Sequence, residues 1–141
     1  MANDMKIGVV GASGRMGQMC VRQVSETAGC TVCAATEAPG HPALGQDAGT
    51  LAAIGEIGVP LSDDAAAMVA AADAIIDFTA PAVTAMYASL CKENGTALIA
   101  GTTGLDTAQE AEITGAAKSV PVVRAPNMSV GVTLLLALTE Q

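Results

Sequence analysis

Residues Gly11-Ala12-Ser13-Gly14-Arg15-Met16-Gly17 restrict the fold of this chain more than any other stretch, because three glycines at three-residue spacing separate a β-branched run from a helical pattern. The run is Met5-Lys6-Ile7-Gly8-Val9-Val10, and from Arg15 onward Met16, Met19, Cys20, Val24 and Ala28 recur at helical spacing. The glycines therefore occupy a strand-to-helix turn. There the first permits a tight bend, the second lets backbone approach an anion, and the third allows close helix-strand packing. The first amides of a helix have no partner within it, and the aligned peptide dipoles place partial positive charge at that end, so a diphosphate is favoured. Arg15 adds a full positive charge. The spacing is the looser G-x-x-G-x-x-G, which leaves a glycine-rich turn without a ligand as the alternative.

Context favours a dinucleotide. Thr31-Val32-Cys33-Ala34-Ala35-Thr36 reads as the second strand, and Glu37 follows it about 20 residues beyond the glycine turn, where a ribose-binding acid belongs. A carboxylate there accepts hydrogen bonds from ribose hydroxyls and repels a 2′-phosphate, so NADH is expected over NADPH. The alternative is a solvated acid at a strand end.

With 141 residues, 51% of them apolar, the chain is expected to form one globular domain. Phe78 and Tyr87 are its only aromatic residues, so the core must be built from Ala, Val, Ile, Leu and Met in closely packed α/β layers. The net charge is −8, and the cations Lys6, Arg15, Arg22, Lys92, Lys118 and Arg124 form no basic stripe, which argues against nucleic acid. No stretch reaches the roughly 18 continuous apolar residues of a membrane span, and no signal pattern opens the chain, so a cytoplasmic protein is expected. Cys30-Thr31-Val32-Cys33 lacks the second Cys/His pair of a zinc site, and the four cysteines read as buried thiols. His41, in the loop Ala38-Pro39-Gly40-His41-Pro42, reads as polar surface.

The remaining elements alternate. A short helix is expected over Asp47 to Ile54 and a strand over Ile57 to Leu61. Ser62-Asp63-Asp64 caps a helix at Ala65 to Ala71, before a buried strand Ala74 to Phe78. Pro81 opens a helix over Ala82 to Glu93 that closes at Asn94-Gly95, before the strand Thr96 to Ala100. A helix over Thr107 to Lys118 and a sixth strand, Val120 to Arg124, complete the set. Repeated β-α units imply a Rossmann-type, doubly wound parallel sheet of about six strands.

Ligands of such sheets bind beyond the carboxyl ends of the strands. That rule gathers the glycine turn, Glu37, Asp77-Phe78-Thr79, Gly101-Thr102-Thr103-Gly104 and Ala125-Pro126-Asn127-Met128 along one rim, with Arg15 as its cation. The last helix, Val130 to Leu138, is apolar on nearly every side and is expected to be covered by further protein. Residues 1–129 thus read as a dinucleotide-binding domain, and 130–141 as the start of a helix leading to further protein of a larger enzyme.

These pieces resemble bacterial 4-hydroxy-tetrahydrodipicolinate reductases over nearly the whole chain. The residues that carry the likeness are Gly11 to Gly17, Glu37, Leu44-Gly45-Gln46-Asp47-Ala48-Gly49, Asp77-Phe78-Thr79, Gly101-Thr102-Thr103-Gly104-Leu105 and Ala125-Pro126-Asn127-Met128-Ser129-Val130-Gly131-Val132. The resemblance implies that Gly11, Ala12, Ser13, Gly14, Arg15 and Met16 hold the pyrophosphate and Glu37 the adenosine ribose. It places the nicotinamide half against Gly101, Thr102, Thr103, Ala125, Pro126, Asn127 and Met128, adds Phe78 to the cofactor contacts, and brings Thr103 to the substrate.

Many members of that family carry an arginine after the ribose-binding acid, where this chain has Ala38. The departure agrees with NADH as the preferred cofactor, with NADPH second. The resemblance further implies that the protein beyond residues 130–141 is a substrate-binding domain, with a cyclic dicarboxylate substrate, a lysine proton donor and a His-rich segment in that second domain, no catalytic residue within this chain, no metal, and a homotetrameric parent. Two other readings fit the glycine turn and the sheet: the cofactor half of a homoserine or aspartate dehydrogenase, and a non-enzymatic nucleotide- or CoA-binding sensor.

Overall fold

The computed structural model describes residues 4–139. Six parallel strands form one sheet in the order β3-β2-β1-β4-β5-β6. They are β1 (Met5–Val10), β2 (Cys30–Thr36), β3 (Leu61–Ser62), β4 (Ala74–Asp77), β5 (Ala97–Ala100) and β6 (Val122–Arg124). The helices between them are α1 (Arg15–Glu26), α2 (Ala48–Leu51), α3 (Ala65–Ala71), α4 (Pro81–Asn94), α5 (Thr107–Ala116) and α6 (Val130–Thr139). The order turns outward from β1 in both directions, which is the doubly wound arrangement expected of the β-α repeats and opens a crevice at the carboxyl ends of β1 and β4.

Two apolar layers sandwich the sheet. One joins Ile7, Val9, Val21, Val24, Val32 and Leu61; the other joins Met68, Val69, Ile75, Tyr87, Leu98 and Ile113. The side chains are small, so backbones approach closely. A Cβ on Gly8 of β1 would lie 2.7 Å from Ile75 and 2.9 Å from Met68.

Local chemistry sets the helix ends. Asp64 caps α3 by accepting from the Ala67 amide at 2.9 Å, and Asp106 with Gln109 forms a reciprocal capping box on α5. Pro81 starts α4 and Gly95, at φ +75°, ends it.

Several expectations are corrected. The third strand is not Ile57 to Leu61 but Leu61–Ser62, because the Asp47 carboxylate takes the amides a longer strand would need: Ile57 at 3.1 Å and Val59 at 3.0 Å, besides Thr50 at 2.9 Å. Gly49 completes this wrap, since a Cβ there would lie 2.3 Å from the Gly55 carbonyl oxygen. The segment Leu44 to Gly49 is therefore a structural clasp, and α2 is a single turn.

The sixth strand begins at Val122, after Pro121, which has no amide to offer a ladder, and α5 stops two residues early at Ala116. Only Cys91 is a fully buried thiol. Cys20, Cys30 and Cys33 are half-buried, and Cys33 is the extra residue of a bulge where β1 pairing steps from Val32 to Ala34. Burial, followed by the charge of Asp77, pushes the Cys91 thiol up to about 11, which leaves it protonated at neutral pH.

Within the described residues α6 is exposed. Val130, Leu134, Leu135, Leu136 and Leu138 all face solvent, as no element within residues 4–139 packs against them. Residues 140 and 141 lie outside the described residues. Among the described residues no helix is long and apolar enough to cross a membrane.

Candidate functional site

The glycine turn lies at the carboxyl end of β1, and its three glycines answer three separate demands. Gly11 has φ +64°, and a Cβ there would meet the Thr79 methyl at 2.6 Å. A Cβ on Gly17 would lie 2.0 Å from the Gly11 carbonyl oxygen and 2.6 Å from the Ala12 Cα, so α1 sits directly on the turn. Gly14 has only the Gly11 oxygen near its Cβ position, at 3.2 Å.

Gly14 is also the N-cap of α1, and neither a side-chain cap nor an acidic residue in the first turn competes for the helix amides. The positive end of the dipole is left open to the rim. Arg15 and Met16 are exposed on this first turn, and Ala12 is buried, its amide donating to the Thr36 carbonyl at 3.1 Å.

Glu37 reaches this turn. Its Oε1 accepts from the Ser13 amide at 3.0 Å and the Ser13 hydroxyl at 2.6 Å, and its Oε2 accepts from the Ala38 amide at 3.2 Å. Burial alone would push its carboxyl up. The Ser13 and Ala38 donors, with His41 nearby, outweigh that and hold it below its ordinary value. Glu37 is ionised at neutral pH. His41 is half-buried, its Nδ1 accepting from the Ala43 amide at 3.1 Å, so it folds its own loop as well as facing Glu37.

Between these elements lies a cleft of about 340 Å³ lined by Gly11, Glu37, Ala38, Asp63, Thr79 and Tyr87 among others. Its walls are mostly apolar, with Pro39, Val83 and Met86 adding to them. The Tyr87 hydroxyl is already paired with the Thr36 hydroxyl at 2.8 Å. Asp77, at the end of β4, holds Thr79 by accepting from its amide at 2.8 Å and its hydroxyl at 2.6 Å, and so seats the Thr79 methyl against Gly11.

The second half of the rim follows β5 and β6. The Phe78 ring covers Gly101, where a Cβ would come within 1.9 Å of it, and the Gly101 amide donates to the Asp77 carbonyl at 2.9 Å. Thr102 is buried, its hydroxyl 2.8 Å from that of Thr84 on α4, while Thr103 is exposed. The Ala125 amide donates to the Ala100 carbonyl at 3.3 Å, and Pro126, Asn127 and Met128 continue along the surface, with the Asn127 carboxamide accepting from the Ser129 amide.

The sequence-based residues thus fall into two clusters on one edge of the sheet. Gly11 to Met16 with Glu37 form one, and Phe78, Gly101 to Thr103 and Ala125 to Met128 the other. Arg15 is not the sole cation there, because Arg124 ends β6 beside Ala100, tied to Glu110 of α5. Sequence reasoning missed the cleft wall Val83, Met86 and Tyr87. Pro81 marks where α4 starts, but no local signal marks which of its side chains face the rim.

Residues 5–128 match the family described as dihydrodipicolinate reductase, N-terminus. The chain is 48% identical over 135 residues to the 4-hydroxy-tetrahydrodipicolinate reductase of Alkalilimnicola ehrlichii, covering 96% of this chain and 51% of that protein. It is 40% identical over 139 residues to that of Rhizobium meliloti, covering 99% of this chain and 57% of that one. The chain therefore spans about half the length of these relatives.

Among solved structures, the dipicolinate-bound dihydrodipicolinate reductase from Paenisporosarcina sp. TG-14 superposes with TM-score 0.74 at 22% identity, over 93% of this chain and 50% of that one. An amine dehydrogenase from Mycobacterium smegmatis gives 0.70, also at 22%, over 86% and 38%. These two likenesses speak for the Rossmann-like fold. The match over residues 5–128 and the close relatives go further: the chain belongs to the dihydrodipicolinate reductase N-terminal family.

Proposed function

We propose that this chain is the dinucleotide-binding part of a 4-hydroxy-tetrahydrodipicolinate reductase and that it seats NADH in preference to NADPH. The observation that carries the reading is the uncapped start of α1, flanked by Gly14 and joined through Ser13 to an ionised Glu37. A diphosphate needs free amides and a dipole end, a ribose needs an acceptor beside it, and both are present on one rim.

The amides of Arg15 and Met16 would hold the pyrophosphate, with Arg15 adding charge, while the Gly14 amide closes the turn by donating to the Gly11 carbonyl at 3.0 Å. Glu37 keeps Oε1 on Ser13, and Oε2, which also accepts from the Ala38 amide, retains acceptor capacity for the ribose. Thr102, pinned by Thr84, fixes the Gly101 to Thr103 backbone beside the nicotinamide, and Phe78 and Ala125 to Met128 border it. Thr103 faces solvent at the place where substrate would approach. When bound, the cofactor supplies the hydride. The residues here bind, orient and exclude water. Groups for a cyclic dicarboxylate and its proton donor are assigned to the other half of the relatives' length, so this chain alone should show negligible turnover.

The preference follows from charge. A 2′-phosphate would meet the Glu37 carboxylate with Ala38 beside it, where the cleft lining supplies no lysine or arginine to offset the repulsion. Calorimetric titration at fixed salt should give tighter NADH than NADPH binding, and Ala38→Arg should improve NADPH by about fivefold, the scale of one partly exposed charge pair. Equal affinities in the unaltered chain would overturn the preference.

A further inference from the structure

We infer that Asp63 reads the adenine base, accepting a hydrogen bond from its exocyclic amine and thereby excluding dinucleotides with a keto group at that position. The inference rests on the dinucleotide reading above and adds a base-selecting residue to it.

Asp63 follows β3 as Glu37 follows β2, and the Glu37 amide donates to the Ser62 carbonyl at 2.9 Å, so the two acids stand on adjacent strand ends. Both line the same cleft. Their duties differ. Glu37 is occupied by Ser13 and Ala38, while Asp63 makes no hydrogen bond or ion pair among the described residues, the helix cap of α3 being supplied by Asp64.

The order of the sheet sets the direction of a bound dinucleotide. With diphosphate at the end of β1 and ribose at the end of β2, the base continues away from β4, toward β3. There Ala38, Pro39, Val83, Met86 and Tyr87 offer an apolar slot that suits a flat purine. The Tyr87 hydroxyl is committed to Thr36 and does not compete for the base edge. Asp63 is left as the acceptor at the β3 end of the slot. An ionised carboxylate only accepts, so it pairs with an amine and repels a carbonyl oxygen.

The test is calorimetric titration of the chain with NADH and with reduced nicotinamide hypoxanthine dinucleotide, which carries a keto group in place of the amine and a proton on the adjacent N1. The unaltered chain should bind NADH about tenfold more tightly, the size of one charge-assisted hydrogen bond at a partly exposed site. Asp63→Ala should bring the two affinities within about twofold. Asp63→Asn, whose amide presents either an acceptor or a donor, should keep NADH and gain the hypoxanthine compound. Removing a negative charge acts on both dinucleotides alike, so the ratio isolates base recognition. Equal binding of the two by the unaltered chain, or an unchanged ratio in Asp63→Ala, would overturn the assignment while leaving the cofactor reading intact. Failure of the unaltered chain to bind either dinucleotide would overturn both.

Discussion

Gly17 and Gly115 both lie in helices, yet replacement by alanine should move stability in opposite directions. At Gly17 a Cβ would come 2.0 Å from the Gly11 carbonyl oxygen, 2.6 Å from the Ala12 Cα and 2.7 Å from the Gly11 carbonyl carbon, all backbone atoms that no rotamer change can withdraw. Overpacking costs about 1–3 kcal/mol, and contacts this short against backbone put the cost at the upper end. The gain in helix propensity returns about 1 kcal/mol. Gly17→Ala should therefore lose about 2 kcal/mol, and α1 must move off the turn it caps.

At Gly115, near the end of α5, nothing lies within 4 Å of the Cβ position. Only the backbone entropy term acts there, and Gly115→Ala should gain about 0.5 kcal/mol. Urea unfolding followed by far-ultraviolet circular dichroism compares the two directly. A Gly17→Ala chain as stable as the unaltered one, or a Gly115→Ala chain that loses stability alongside it, would refute the packing argument.

Two further outcomes follow from the hydrogen-bond record. Thr84→Val leaves the buried Thr102 hydroxyl without its partner and should cost about 1–3 kcal/mol in the same urea assay; an unchanged midpoint would show that the pair is idle. Asp47 and Glu37 are both held below their ordinary values, Asp47 by the Thr50, Ile57, Val59 and Gly58 amides against an opposing push from burial. Their folded values lie below the unfolded ones, so the stability they contribute is complete above about pH 5 and drains away as pH falls through the folded values. A urea midpoint that drops below about pH 4, less steeply in Asp47→Asn, is expected, and a midpoint that rises on acidification would contradict the assignment.

Much of this architecture is legible in the sequence because a parallel strand buried on both faces must be a short apolar run, as in Ala74-Ile75-Ile76-Asp77 and Ala97-Leu98-Ile99-Ala100. The turn between β1 and α1 is legible for the same reason, since only glycine tolerates its approaches. Ile57 and Val59 mislead because the pattern of apolar residues cannot reveal that a distant carboxylate, Asp47, captures their amides. The cleft wall on α4 is hidden for another reason. Met86 and Tyr87 are ordinary helix positions in a segment with apolar residues on several sides, and which of them faces the rim depends on packing against α3 and α5.

The central claim is that the bare start of α1 grips a diphosphate, and amide chemical shifts report it most directly. Titration of the isotope-labelled chain with NADH should shift the amide resonances of Arg15 and Met16 saturably, together with those of Ser13 and Gly14, while the Gly115 amide on α5 stays in place. Resonances at Arg15 and Met16 that remain unmoved in a folded sample at saturating NADH would contradict the account.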